Sequence, residues 1–233
     1  MSTRCLSLSG LPGFRCCSSL RILALLVIQC ALLLLLPNLR ALGQEAGEPE
    51  EEIGIVAGHS VGSIHLFGYA DNREINVFGV QFAHPMGHFL NARFDYMTEV
   101  IPVFVLSEPK EYGADSRALD TERRFVHGTG VSPIGARILW RPHSAWKPYL
   151  LGRGGILYFN DRVLSTKGTH LQFLAEFGAG VQIKVRPHTQ LSFGYSLYHF
   201  SNGDIGVRNP ALDSNFIYST LTFDFHRRIK WLP

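Results

Sequence analysis

Residues 171–185 read Leu-Gln-Phe-Leu-Ala-Glu-Phe-Gly-Ala-Gly-Val-Gln-Ile-Lys-Val. The odd positions, Leu171, Phe173, Ala175, Phe177, Ala179, Val181, Ile183 and Val185, are apolar throughout. The even positions, Gln172, Leu174, Glu176, Gly178, Gly180, Gln182 and Lys184, are mostly polar or tiny. Successive residues of a strand point to opposite faces, so this period of two describes one apolar face and one polar face. A water-soluble sandwich alternates as well, and length separates the two cases. The run is unbroken over 15 residues. That is well beyond the ~5–6 residues of an ordinary strand, and it suits a tilted strand that crosses a bilayer.

The same alternation recurs on either side. Leu191, Phe193, Tyr195 and Leu197 share a face opposite Gln190, Ser192, Gly194 and Ser196. Near the end of the chain, Ile217, Leu221, Phe223 and Phe225 oppose Tyr218, Thr220, Thr222 and Asp224. Over 89–99, Asn91, Arg93, Asp95 and Glu99 oppose Ala92, Phe94, Tyr96 and Val100. Four polar groups on one face need water or partners, because burying them unpaired is costly. A polar barrel lumen supplies both, and Arg93, Asp95, Glu99, Arg153 and Glu176 are predicted to form an internal ion-pair network. The pattern is weaker at 146–159 and at 74–84, where apolar residues fall on both faces. Strands are predicted at 53–66, 74–84, 88–106, 131–142, 146–159, 169–186, 189–201 and 214–225. The expected fold is all-β, an eight-stranded antiparallel transmembrane β-barrel of the bacterial outer membrane.

The connections agree. Residues 85–88 and 186–189 read as short turns, whereas 107–130, 160–168 and 202–213 are longer. The long segments follow strands three, five and seven, as outer loops do when the N-terminus lies in the periplasm. A helical turn is allowed around 116–124 inside the longest segment.

Upstream, Arg4, Arg15 and Arg21 precede an apolar run from Ile22 to Leu36, which Pro37 ends. Ala41-Leu42-Gly43 supplies small residues for cleavage, so 1–43 is predicted to be a signal peptide. The rival is an uncleaved anchor, for which the apolar run is short against the ~20 residues of a span. Residues 44–52 are acidic and read as a flexible periplasmic lead-in; 53–225 form the barrel and 226–233 a basic tail with Arg227, Arg228 and Lys230. All four cysteines, Cys5, Cys16, Cys17 and Cys30, lie in the leader, which removes disulfides and cysteine–metal sites from the predicted mature chain. The formal net charge of +3 includes the leader, and no basic run points to nucleic acid.

Chemistry concentrates in 198–213, Tyr-His-Phe-Ser-Asn-Gly-Asp-Ile-Gly-Val-Arg-Asn-Pro-Ala-Leu-Asp. His199 and Ser201 share the odd register of Leu191 to Leu197, so both are predicted to face lipid. Residues i and i+2 of a strand lie about 6.6 Å apart at Cα, within reach of an imidazole acting as general base on a serine. Asp213 opens the last strand in the register of Ile217 and Phe225, beside strand seven. It is the candidate to accept the other imidazole N–H. Gly203 and Gly206 permit a tight turn. The N–H groups of Gly203 and Asp204, with the Asn209 amide, are candidate oxyanion donors. The competing account is structural: His-x-Ser pairs are common, and rim clusters are often only interfacial. Against it, a polar pair on a lipid-facing stripe is costly unless it is used.

This segment resembles the PagL-type lipid A deacylases, eight-stranded outer-membrane enzymes that remove an ester-linked acyl chain from lipid A. The resemblance rests on His199, Ser201, Asn202, Gly203, Asn209-Pro210 and Asp213. It implies Ser201 as nucleophile, His199 as base, Asp213 as orienting acid, Asn209 and the turn backbone as oxyanion site, and Asn202 in support. It also implies 3-O specificity, lipid A or lipopolysaccharide as partner, and no metal or other cofactor. Two departures stand out: the acid is Asp where the family pattern has Glu, and Asp204 sits where a small residue is usual. Arg162, Lys167 and Arg208 on the outer loops are candidate contacts for anionic headgroups, although ordinary solvated surface charge is the favoured account of them. The alternatives are a catalytically inactive barrel with a structural or binding role, and a soluble periplasmic β-sandwich or lipid-binding barrel. A homodimer is left open.

Overall fold

The computed structural model describes residues 51–225. Eight strands follow one another: β1 (Glu51–Ile64), β2 (Glu74–Phe89), β3 (Ala92–Pro109), β4 (Arg123–Trp140), β5 (Trp146–Phe159), β6 (Leu171–Arg186), β7 (Thr189–Ser201) and β8 (Leu212–Phe225). Each pairs with its sequence neighbour, and β1 pairs antiparallel with β8, which closes the barrel. Closure leaves no sheet edge with unpaired main-chain groups, the condition for crossing a membrane with strands. The connections alternate in length. Those at 90–91, 141–145 and 187–188 are short, and those at 65–73, 110–122, 160–170 and 202–211 are long. All four long connections gather at one end.

Several boundaries differ from expectation. Glu51 and Glu52, read as the end of a flexible lead-in, start β1. The lumen explains this: Glu52 bonds to Arg93 and pairs with Arg137 at 2.9 Å, and Glu51 accepts a 2.9 Å bond from His84 Nδ1. Residues 85–88 are not the turn; β2 runs through them, with a register shift between Pro85 and Gly87, and the chain reverses at Leu90–Asn91. A bulge is where a sheet tolerates proline. β4 begins at Arg123, where a loop was expected, with Arg123–Gly128 laid against Phe104–Pro109 of β3. Its Gly128-Thr129-Gly130 segment has a loop-like composition but pairs with Leu157-Tyr158-Phe159 of β5. No helical turn forms over 116–124; Ala118 instead makes an isolated antiparallel bridge with Tyr112. The predicted signal peptide (1–43), the remainder of the lead-in (44–50) and the basic tail (226–233) lie outside the described residues.

The two faces separate as the alternation requires. Phe173 and Phe177 of β6, Phe193 and Tyr195 of β7, and Val100 and Val103 of β3 are exposed on the outer wall. Their neighbours Gln172, Glu176, Gln182, Ser192 and Ser196 are buried inside. The lumen is packed, as an eight-stranded barrel allows, and it is stratified. Toward the short turns, Arg137 links Glu52 to Asp95 (2.6 Å), Arg93 binds Asp95 at 2.7 Å, and Gln182 donates to Glu52 at 3.0 Å. At mid-height, Arg153 bridges Glu99 (2.8 Å) and Glu176 (2.6 Å). The expected network therefore exists in two parts, with Glu52 and Arg137 as members the sequence reading did not include. Toward the long loops the filling turns aromatic. Phe104 meets Phe159 and Phe200 edge-on at 5.3 and 5.7 Å, and Tyr198 packs on Phe216 at 5.0 Å.

The long loops cap this end. Glu108, fully buried, accepts bonds from Arg124 (2.7 Å), the Tyr112 hydroxyl (3.0 Å) and the Leu164 N–H (3.1 Å). Burial, with Glu108 alongside, pushes the Tyr112 phenol above its ordinary pKa, so it donates at any physiological pH. The buried Arg73 guanidinium lies over the same ring at 5.3 Å.

Candidate active site

β7 carries its functional side chains on its last turn of pleat. Tyr198 and Phe200 are buried inside, so His199 and Ser201, one position out of phase, stand on the outer wall and are half-exposed. Their lipid-facing register follows directly from the alternation of β7. Across β6, His199 pairs with Ala175 and Ser201 with Phe173. Across β8, His199 pairs with Asp213, which brings imidazole and carboxylate together, and Ser201 lies two residues along the same face of β7.

The His199 Nδ1 to Asp213 Oδ1 distance is 2.5 Å. A charge-assisted bond of this kind fixes the ring with its proton on Nδ1. Nε2 is thereby left as the acceptor for the hydroxyl two residues along the same face. Asp213 shares the outer face of Asn215 and Ile217, yet its exposure is 0%. The cover comes from the β1–β2 connection. Leu66, Phe67 and Gly68 donate their main-chain N–H groups to Asp213 Oδ2 at 2.8, 2.7 and 2.8 Å. Ala70 N–H then bonds Ala211 O at 3.0 Å, and Ala70 lies parallel to Leu212. Phe67 places its ring edge-on to the His199 imidazole, 5.7 Å between centroids. Only glycine suits position 68, where a Cβ would stand 2.2 Å from Ala211 O. None of this was read from the sequence. The donors are main-chain, and the one side-chain signal is a small residue, Gly68, in an apolar loop.

The β7–β8 connection supplies the rest. Gly203 (φ 60°) and Asp204 (φ 61°) both adopt the left-handed conformation, and Ile205 N–H bonds Asn202 O at 3.2 Å. Together these describe a type I′ turn. Asn202, buried, organises it: its Nδ2 donates to Arg208 O (2.7 Å) and its main-chain N–H donates to Asn209 Oδ1 (3.0 Å). Its Oδ1 accepts the Asp204 N–H at 3.0 Å. Of the three expected oxyanion donors, Asp204 N–H is therefore already engaged. Among the described residues no acceptor takes Gly203 N–H or Asn209 Nδ2, and Asn209 is oriented by the bond to its oxygen. Arg162, Lys167 and Arg208 are exposed on the outer loops around this site. Among the described residues no group of three or more His, Cys, Asp or Glu could hold a metal ion.

Fold and site together define an integral outer-membrane barrel with a His–Asp pair and a serine at its lipid-facing rim. A family model described as lipid A 3-O-deacylase (PagL) matches residues 104–222, from β3 through β8 and across the whole 198–213 segment. The chain belongs to that family. Its structure is similar to the crystal structure of the outer membrane enzyme PagL, at a TM-score of 0.50 and 13% identity over 72% of this chain and 97% of that one. It also resembles Neisserial surface protein A (TM-score 0.43, 13% identity, 75% of this chain and 97% of that one). A further likeness is to the outer membrane protein OprG from Pseudomonas aeruginosa (TM-score 0.44, 14% identity, 79% and 98%). No curated protein matches it in sequence.

Proposed function

We propose that the protein is a serine ester hydrolase that removes the 3-O-linked acyl chain from lipid A in the outer leaflet. The observation that carries this reading is the His199–Asp213 bond, 2.5 Å long, on the outer wall beside Ser201. The other supports are family membership and a site that opens toward lipid, where the bilayer itself presents the substrate's acyl chains. Ser201 Oγ attacks the ester carbonyl carbon while His199 Nε2 takes the hydroxyl proton. Asp213, accepting from Nδ1–H, stabilises the imidazolium that forms. The carbonyl oxygen becomes an oxyanion, for which Gly203 N–H and the Asn209 NH₂ are the available donors. Collapse breaks the ester C–O bond, and His199 returns the proton to the departing sugar oxygen. Water, deprotonated by the same imidazole, then releases the acyl group from Ser201 as a carboxylic acid.

The test is mass spectrometry of lipid A from cells expressing wild type or Ser201→Ala. Wild type is expected to shorten lipid A by one 3-O-linked acyl chain, and Ser201→Ala to leave it intact, since losing a triad nucleophile removes about 10⁶ in kcat. Identical lipid A from the two strains would refute the reading, and loss of a chain from another position would refute the 3-O assignment.

A further inference from the structure

Asp213 is an anomaly on the lipid-facing wall, a carboxylate with no exposure among residues such as Ile217 and Leu221. Three successive main-chain N–H groups converge on one of its oxygens. Consecutive amides of this kind form an anion-binding concavity without any cationic side chain. The segment that provides them is anchored independently of its own side chains. Downstream, Ala70 bonds Ala211 O, and Arg73 donates to Asp71 O (2.5 Å) and Leu164 O (3.4 Å). The side chains of Leu66, Phe67 and Tyr69 are exposed rather than turned into the barrel, Phe67 to 75%. For Phe67 the ring contact is with His199. An aromatic ring so exposed adds little to the core; its placement bears on the imidazole.

Resting on the hydrolase reading, we propose that Leu66–Gly68 is a positioning element of the reaction centre. Its amides hold the Asp213 carboxylate, and the Phe67 ring holds the His199 imidazole in the orientation that reaches Ser201. The imidazole is thus restrained on two sides, by a hydrogen bond at Nδ1 and by an edge-on aromatic contact. The carboxylate in turn is restrained at both oxygens. Asp213 supplies the chemistry, and the strap supplies the angle.

The experiment uses the purified, folded protein in mixed micelles of detergent and lipid A, with kcat and KM measured for wild type, Phe67→Ala, Phe67→Tyr and Gly68→Ala. Heat-modifiable gel mobility reports whether each barrel is folded. Phe67→Ala is expected to keep the folded mobility and the KM but to lower kcat about 10- to 100-fold, the scale of a small misplacement of a catalytic group. Phe67→Tyr, which keeps the ring edge, should restore most of that loss. Gly68→Ala pushes a Cβ toward Ala211 O and should lower kcat at least as far. Full kcat in Phe67→Ala, a change confined to KM, no rescue by tyrosine, or loss of the folded band in Phe67→Ala would each overturn the proposal. If wild type itself leaves lipid A intact, the hydrolase reading falls and takes this one with it. An active wild type with an unaffected Phe67→Ala removes this one alone.

Discussion

Asp213 is one methylene shorter than the glutamate of the family pattern, and on the proposed reading its surroundings account for the shorter acid. The carboxylate sits directly across from His199 in the β7–β8 register, so no extra reach is needed. The Leu66–Gly68 amides close over its far oxygen at 2.7–2.8 Å, distances set for a carboxylate at this reach. Asp213→Asn should keep the barrel folded and lower kcat about 10⁴-fold, because a neutral amide can neither fix the tautomer nor stabilise the imidazolium. Asp213→Glu should not restore wild-type rates, since the strap occupies the space the extra methylene needs; kinetics on lipid A micelles check both, and a fully active glutamate variant would contradict the fit described here. His199, Ser201 and Asp213 were legible as a set because strand register alone places them on one wall. The turn around Asn202 was legible only in part. Gly203 announced a tight reversal, but that Asn202 Oδ1 would claim the Asp204 N–H depends on side-chain contacts within the loop. The strap was not legible at all, since main-chain donors leave no mark in residue identity.

At the scale of the strand, the outer wall behaves as a surface matched to hydrocarbon. β3 shows this well: Arg93, Asp95 and Glu99 are buried inside while Phe94, Tyr96 and Val100 are exposed outside. Val100, 55% exposed near the middle of β3, is a position to probe. Val100→Arg is expected to destabilise the folded barrel by about 2–4 kcal/mol, the cost of a cation at the bilayer midplane. Urea titration of folding into liposomes measures it. The same change at Leu119, in the 110–122 connection, should cost almost nothing. The alternation that makes this prediction was clear in β6, β7 and β8. It failed where the lumen overrode composition: Glu51 and Glu52 looked disordered because their partners, His84 and Arg137, lie far along the chain. The start of β4 looked like a loop because Gly128 and Gly130 carry no side chain to show the alternation, and only their pairing with β3 and β5 makes them strand.

Across the whole molecule, the lumen is held by buried charges that pair with one another. Arg153 bridges Glu99 and Glu176, and all three are buried. Arg153→Met leaves two facing carboxylates unpaired and should cost about 3–5 kcal/mol, whereas replacing all three by apolar residues of similar volume should recover most of that loss. The same liposome titration distinguishes the two variants, and equal stability of both would argue that the trio is not the keystone of the interior.

The strap has one more consequence. It follows immediately on β1, and Ile64, the last residue of that strand, is laid against Asp213 in the seam where β1 meets β8. The chain's first and last strands must therefore have zipped together before the acid is seated. On the proposed reading, a barrel whose first and last strands have not yet paired lacks the seated acid and stays dormant until the cylinder shuts.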